Sequence, residues 1–118
     1  MKNKTERIRD LLHTEEFDSF YNSLDERTVS KYDEAILYLE SVYVLSAKFV
    51  KKIVNTDLYE MRVSVGYNEY RTILFATDHE NLIQATKVFL LNGFLKKSSK
   101  DYDKQVKRAV NILKELEL

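Results

Sequence analysis

The fold is decided by residues 58–77, which read LYEMRVSV (58–65), GYNE (66–69) and YRTILFAT (70–77). In the first segment apolar and polar residues alternate, which is the period of a strand with one face in the core. The apolar face carries Tyr59, Met61, Val63 and Val65, and the polar face carries Glu60, Arg62 and Ser64. The second segment supplies turn residues, and the third is rich in β-forming residues. The pattern therefore predicts an antiparallel hairpin.

The residues before the hairpin have helical spacing. A first helix over 15–24 is predicted from the apolar stripe Phe17, Phe20, Tyr21 and Leu24. A second helix, capped by Thr28 or Ser30, is predicted from Val29, Tyr32, Ile36, Leu39 and Tyr43. Residues 49–53 predict one shorter helical turn before Asn55.

The residues after the hairpin predict one more strand and one more helix. The segment Leu82 to Phe94 is apolar on both faces, as expected of a central strand. Ser98 or Ser99 is expected to cap a last helix, whose stripe is Tyr102, Val106, Ala109, Val110, Leu113 and Leu116. The predicted class is α+β: a small antiparallel sheet of three or four strands, with N-terminal helices and a C-terminal helix packed on it.

Composition excludes several kinds of site. The 118 residues include no cysteine and two histidines, so thiolate chemistry is excluded and a histidine-rich metal site is not expected. Proline is absent and glycine occurs twice, which predicts a single domain over 1–118 without a linker. No apolar run approaches the roughly 18 residues of a spanning helix. Because Met1 to Thr14 is charged and polar, no signal peptide is expected, and the predicted location is the cytoplasm.

Charge is unevenly distributed along a chain whose formal net charge is zero. Residues 1–45 carry 6 basic and 10 acidic side chains, whereas residues 46–118 carry 13 and 9. In the second half, basic residues lie on or next to the predicted strands and aromatic residues are interleaved with them: Tyr59, Tyr67, Tyr70, Phe94 and Tyr102. Such a face is suited to holding a phosphate backbone while bases stack on rings.

Three ordered motifs resemble one toxin family. They are LYEMRV (58–63), YR (70–71) followed by TILF (72–75), and LNGFLKK (91–97), with Ala109 in the last helix. Together they resemble the phage-derived HigB-like branch of the RelE/ParE toxin superfamily. The resemblance implies a RelE-like fold and a ribosome-dependent mRNA endoribonuclease. It also implies attack of a ribose 2′-hydroxyl on the adjacent phosphate without metal or cofactor, and a cognate helix-turn-helix antitoxin as partner.

The resemblance also implies roles for individual residues. Arg62 matches the arginine that neutralises the phosphate, and Arg71 is expected to support or orient it. Lys96 or Lys97 matches the basic residue that aids the leaving oxygen, and Glu60 is the candidate base. Further RNA contacts are expected from Lys100, Tyr102 and Lys104.

Structural roles for the same residues stay open at this stage. Arg71 is as well suited to a salt bridge with Glu60, Tyr102 to core packing, and the lysine pair to ending an edge-prone strand. Two other functions are compatible with the same motifs. One is a ParE-type inhibitor of DNA gyrase, and the other is a non-catalytic interaction module, which the zero net charge favours.

Overall fold

The computed structural model describes residues 6–118 and contains a five-stranded mixed sheet with helices on both faces. The elements in chain order are β1 Asp10–His13, α1 Glu15–Asn22, α2 Glu26–Ser41, β2 Val50–Lys52, β3 Tyr59–Val65, β4 Asn68–Ala76, β5 Lys87–Leu95 and α3 Ser99–Glu115. The first five residues of the predicted domain and of the charged segment Met1 to Thr14 lie outside the described residues. Across residues 6–118, no helix is long and apolar enough to span a membrane.

The strands lie in the order β1-β5-β4-β3-β2, and the predicted α+β class is confirmed. The β3–β4 hairpin is confirmed as well, because Val65 pairs with Asn68 across a two-residue turn. Gly66, the first turn residue, has a φ of 61°, and a left-handed glycine in this place is what a tight hairpin turn requires. Within residues 6–118, only β1 pairs in parallel, with β5.

Two hydrophobic cores cover the two faces of the sheet. The larger one packs α1 and α2 against the sheet and includes Met61, Val63 and Val65 of β3. The smaller one lies under α3 and includes Ile73, Leu91 and Phe94. The alternation in β3 therefore buries one face under α1 and α2 and turns Glu60 and Arg62 toward α3.

Several predicted boundaries are wrong. Residues 49–53 are not helical, because Val50–Lys52 pairs with β3 as an edge strand. α2 begins at Glu26 with Asp25 as its cap, not with Thr28 or Ser30; the Asp25 carboxylate accepts the backbone N–H of Thr28 at 2.8 Å. α1 ends at Asn22 rather than at residue 24.

The strand predicted over Leu82 to Phe94 begins instead at Lys87. Leu82 and Ala85 are buried, so their apolar character reflects packing of a turn rather than a strand. The predicted cap of the last helix is correct, since Ser98 Oγ accepts the backbone N–H of Asp101 at 3.1 Å. α3 then runs from Ser99 to Glu115 and packs the predicted stripe, apart from the exposed Leu116, on the sheet.

Arg9 is a buried cation that ties three segments together. Arg9 is 1% exposed, and its guanidinium donates hydrogen bonds to the backbone carbonyls of five residues: Leu39, Val42, Tyr43, Leu82 and Ile83. Three of these carbonyls lie at the C-terminal end of α2, where the helix dipole favours a positive charge. Arg9 thereby fixes α2 and the turn at residues 82–83 against β1.

Gly93 sets how closely α1 approaches the sheet. A Cβ at this position would lie 2.4 Å from the ring of Phe20, so no larger residue fits without a shift. The ring occupies this space and packs against the larger core. The glycine of the motif LNGFLKK is therefore a packing residue of β5.

Candidate active site

Glu60 is the centre of the candidate site. It lies on β3, on the face covered by α3, and is 6% exposed. Its Oε2 accepts a hydrogen bond from Nε of Arg62 at 2.8 Å. Its Oε1 accepts a hydrogen bond from the hydroxyl of Tyr102 on α3. A buried carboxylate of this kind is stable only when such partners compensate for its lost hydration.

Arg71 lies directly opposite Arg62 in the β3–β4 pairing and completes the buried group. Its Nε is 3.2 Å from Glu60 Oε2, which makes an ion pair. The N–H does not point along a hydrogen bond, and among the described residues this nitrogen has no hydrogen-bond partner. Nη1 instead donates to the carbonyl of Tyr70 at 3.0 Å. With its side chain 6% exposed, Arg71 supports Glu60 from within the fold.

The electrostatics of the site keep Glu60 charged and Tyr102 protonated. Burial raises the pKa of Glu60, but the hydrogen bonds from Tyr102 and Arg62 and the charges of Arg62 and Arg71 outweigh burial and hold that pKa below its ordinary value. Burial, together with the hydrogen bond and charge of Glu60, raises the pKa of the Tyr102 phenol. The proton between these two side chains therefore stays on the tyrosine at neutral pH.

A cleft of about 470 Å³ opens over this group, between β2, β3 and α3. Four basic and two acidic side chains line it, so its lining carries an excess of positive charge. The charged lining residues are Lys51, Lys52, Glu60, Arg62, Asp103 and Lys107. The Arg62 side chain is 32% exposed, so its guanidinium is accessible to a ligand in the cleft. Cations around a partly enclosed cleft are suited to a phosphate group.

Four of the predicted basic residues lie outside this cleft. Lys96, Lys97, Lys100 and Lys104 are exposed and do not line it. Lys96 follows β5 directly, and its backbone N–H donates to the carbonyl of Glu69 at 2.7 Å. A hydrogen bond from Ser64, contacts with Arg71 and the charge of Lys96 lower the pKa of Glu69. Lys96 therefore adds a positive charge outside the cleft, near the turn of the β3–β4 hairpin.

Sequence reasoning missed the basic residues on the two sides of the cleft. Lys51 lies directly opposite Glu60 in the β2–β3 pairing. It was not predicted to lie in the site because residues 49–53 were predicted to be helical. Lys107 was not among the residues predicted to contact RNA. Lys107 lies four residues after Asp103, which also lines the cleft, and this one-turn spacing puts both side chains on one face of α3.

Asn92 sets the position of α3 over the site. It is buried on β5, and its Nδ2 donates to the carbonyl and to Oε1 of Gln105, both at 3.2 Å. Its Oδ1 is buried and has no hydrogen-bond partner among the described residues. Gln105 lies one helical turn after Tyr102, so this contact fixes the part of α3 that brings the phenol to Glu60.

Comparison with known proteins identifies a family. The family described as Phage derived protein Gp49-like (DUF891) matches residues 19–114. This match covers β2 to β5 and most of α3, and therefore the whole candidate site. No curated protein and no solved structure matches the sequence. The chain therefore belongs to the phage-derived Gp49-like family.

Proposed function

We propose that this protein is the toxin of a type II toxin–antitoxin system and cleaves mRNA on the ribosome. Membership of the Gp49-like family, which is a RelE/toxin-like family, supports a toxin. The observation that carries the proposal is the buried Glu60 carboxylate held between Arg62, Arg71 and Tyr102 beneath a basic cleft. The partners under this proposal are ribosome-bound mRNA and a helix-turn-helix antitoxin, in the cytoplasm.

Arg62 is the residue we assign to the scissile phosphate. Its guanidinium presents a planar fork of N–H donors, and such a fork matches two phosphate oxygens at once. When these donors turn to the phosphate, Nε leaves Glu60 Oε2. Arg71 stays beneath the carboxylate as its ion-pair partner. The cation of Arg62 then neutralises the negative charge that builds on the phosphate, and Glu60 is not left unpaired.

Glu60 is the base in this reaction. Its lowered pKa keeps it ionised at neutral pH, but the same hydrogen bonds make it a weak base while Arg62 is attached. Transfer of Arg62 to the phosphate removes one cause of the lowered pKa and frees Oε2. The freed oxygen accepts the proton of the ribose 2′-hydroxyl as the 2′-oxygen bonds to phosphorus.

The bond between phosphorus and the 5′-oxygen breaks in the same reaction. The products are a 2′,3′-cyclic phosphate and a 5′-hydroxyl, and the leaving 5′-oxygen takes its proton from an ammonium group. Lys51, Lys52 and Lys107 line the cleft and supply such groups. Lys96 and Lys97, to which the family resemblance gave this role, are more remote and are assigned here to the RNA backbone.

Inducible expression in a bacterial host tests this function. Wild type is expected to arrest growth and to produce new mRNA 5′ ends inside translated reading frames. Arg62→Ala is expected to lose both effects, with circular dichroism and a melting curve as the control for folding. Lys107→Ala changes an exposed side chain of the cleft and should weaken cleavage, whereas the matched Lys114→Ala, on the same helix but outside the cleft, should not.

The outcome also separates the rival functions. Growth arrest without mRNA cuts would indicate a gyrase inhibitor of the ParE type. No arrest by a folded wild-type protein would indicate a non-catalytic interaction module, in which Glu60 and its two arginines are a structural ion-pair cluster.

A further inference from the structure

Tyr67 holds an aromatic ring in solvent at the tip of the β3–β4 hairpin. Its relative exposure is 106%, whereas Gly66 beside it supplies the left-handed turn conformation. A two-residue hairpin turn does not require an aromatic residue in its second position. The ring adds nothing to either hydrophobic core of the described chain.

The same hairpin carries the centre of the candidate site. Arg62 pairs with Arg71, Ser64 with Glu69, and Val65 with Asn68, without a break as far as the turn. Gly66 is four positions after Arg62, a distance of about 13 Å along a strand. The position of the Tyr67 backbone relative to the cleft is therefore fixed by a continuous ladder of strand pairs.

Two cations flank the turn. Nη1 of Arg27, at the start of α2, lies 3.6 Å from the place that a Cβ on Gly66 would occupy. On the other side, Lys96 pairs its backbone N–H with Glu69, and its charge acts on that carboxylate. Both side chains are exposed, and neither forms a salt bridge within residues 6–118. Exposed cations with no carboxylate at salt-bridge distance are suited to holding a phosphate backbone. An exposed ring beside them is suited to stacking on a base of the same strand.

We propose that Tyr67 stacks on a base of the bound RNA strand, a few nucleotides from the scissile phosphate, while Arg27 and Lys96 contact the backbone phosphates. This inference rests on the proposed ribonuclease function and names a second point of substrate contact for it. An RNA base is favoured over a protein partner because the ring stands alone between cations and polar residues. The centre of a protein–protein interface is depleted of charge, and large apolar surface patches mark such sites.

The test is cleavage of a synthetic mRNA on translating ribosomes. Tyr67→Ala is expected to raise KM by about 5- to 150-fold, the range of one base–aromatic stack, and to leave kcat unchanged. Tyr67→Phe keeps the ring and should restore the wild-type KM. Tyr43→Ala is the matched control, because Tyr43 is also exposed but follows α2, away from the hairpin. A KM that Tyr67→Ala leaves unchanged would overturn the inference.

A base-deleted mRNA separates stacking from other contacts. Abasic nucleotides are introduced one at a time around the cut, and at one position wild type and Tyr67→Ala should have the same KM. An effect of Tyr67→Ala that persists on every abasic mRNA would show that the ring contacts a ribosomal protein or rRNA instead, and would overturn the inference. Absence of cleavage by wild type would overturn the ribonuclease function and this inference together.

Discussion

The Tyr102 hydroxyl donates a hydrogen bond to Glu60, which lies 42 positions earlier in the chain, and this hydrogen bond joins α3 to β3. The contact links stability to pH. Glu60 has a lowered pKa in the folded protein, so its ionisation stabilises the fold above the pKa of the unfolded chain. That contribution is lost as pH falls through the folded pKa.

We expect Tyr102→Phe to lower the free energy of unfolding at pH 7 by about 2 kcal/mol, the usual worth of a hydrogen bond to a charged group. The loss should shrink as the pH is lowered through the folded pKa of Glu60, because the protonated carboxyl no longer gains from the phenol. Urea unfolding between pH 3 and pH 7 measures both quantities. A constant difference at every pH would contradict this, because the contribution of the hydroxyl would then not depend on the charge of Glu60.

Arg9→Met is expected to destabilise the protein by about 3–5 kcal/mol, because it removes the donor from five backbone carbonyls at buried or partly buried hydrogen bonds. Arg9→Lys should recover part of this loss, since its ammonium has three donors for the five carbonyls. Thermal and urea unfolding measure the effect. Arg7→Met is the matched control, because that side chain is exposed and forms one surface salt bridge with Glu40. Equal stabilities of the two methionine variants would contradict the structural role of Arg9.

Gly93→Ala is expected to cost about 1–3 kcal/mol, since its Cβ would overlap the ring of Phe20. Phe20→Leu removes the ring at that point and also costs stability by itself. The double variant should therefore lose less stability than the sum of the two single losses. A double-mutant cycle from urea unfolding gives the coupling free energy. Strict additivity would show that the overlap is relieved elsewhere.

Three lysine variants separate proton donation from RNA binding. Lys51→Ala or Lys107→Ala is expected to lower kcat on ribosome-bound mRNA if its ammonium protonates the leaving oxygen, with a loss on the order of 10²- to 10⁴-fold. The double variant Lys96→Ala, Lys97→Ala should raise KM and leave kcat near the wild-type value. The reverse assignment, with kcat lost only in the double variant, would return the leaving-group role to Lys96 and Lys97.

The hairpin could be predicted from sequence because its signal is local. Alternation over Tyr59–Val65 and the glycine turn determine which face of β3 turns inward, and this placed Glu60 and Arg62 together. The stripe of the last helix likewise placed Tyr102 on the sheet. That its hydroxyl meets Glu60 follows from the depth and rotation of α3 on the sheet, which no local pattern specifies.

The edges of the sheet and the buried cation could not be predicted in this way. β1 and β2 have four and three residues, and neither has a sequence pattern long enough to predict a strand. β1 pairs with β5, which is distant in sequence, and β2 pairs with β3 across the loop at residues 53–58. Arg9 lies in a charged segment, where an arginine is expected to be exposed. Its burial is explained only by its hydrogen bonds to backbone carbonyls of α2 and of the turn at residues 82–83. Lys51 was missed for the same reason as β2, since its place in the site depends on pairing with Glu60.

In the proposed reaction, the 2′-hydroxyl attacks the adjacent phosphate in the cleft beside Glu60 and Arg62. The most direct measurement uses ribosomes carrying a synthetic mRNA in which the single nucleotide 5′ to the mapped cut is replaced by its 2′-deoxy form. Cleavage of the unmodified mRNA should yield a 2′,3′-cyclic phosphate and a 5′-hydroxyl, and the deoxy substitution should abolish the cut at that position. A cut that persists in the deoxy mRNA would show that the 2′-hydroxyl is not the nucleophile.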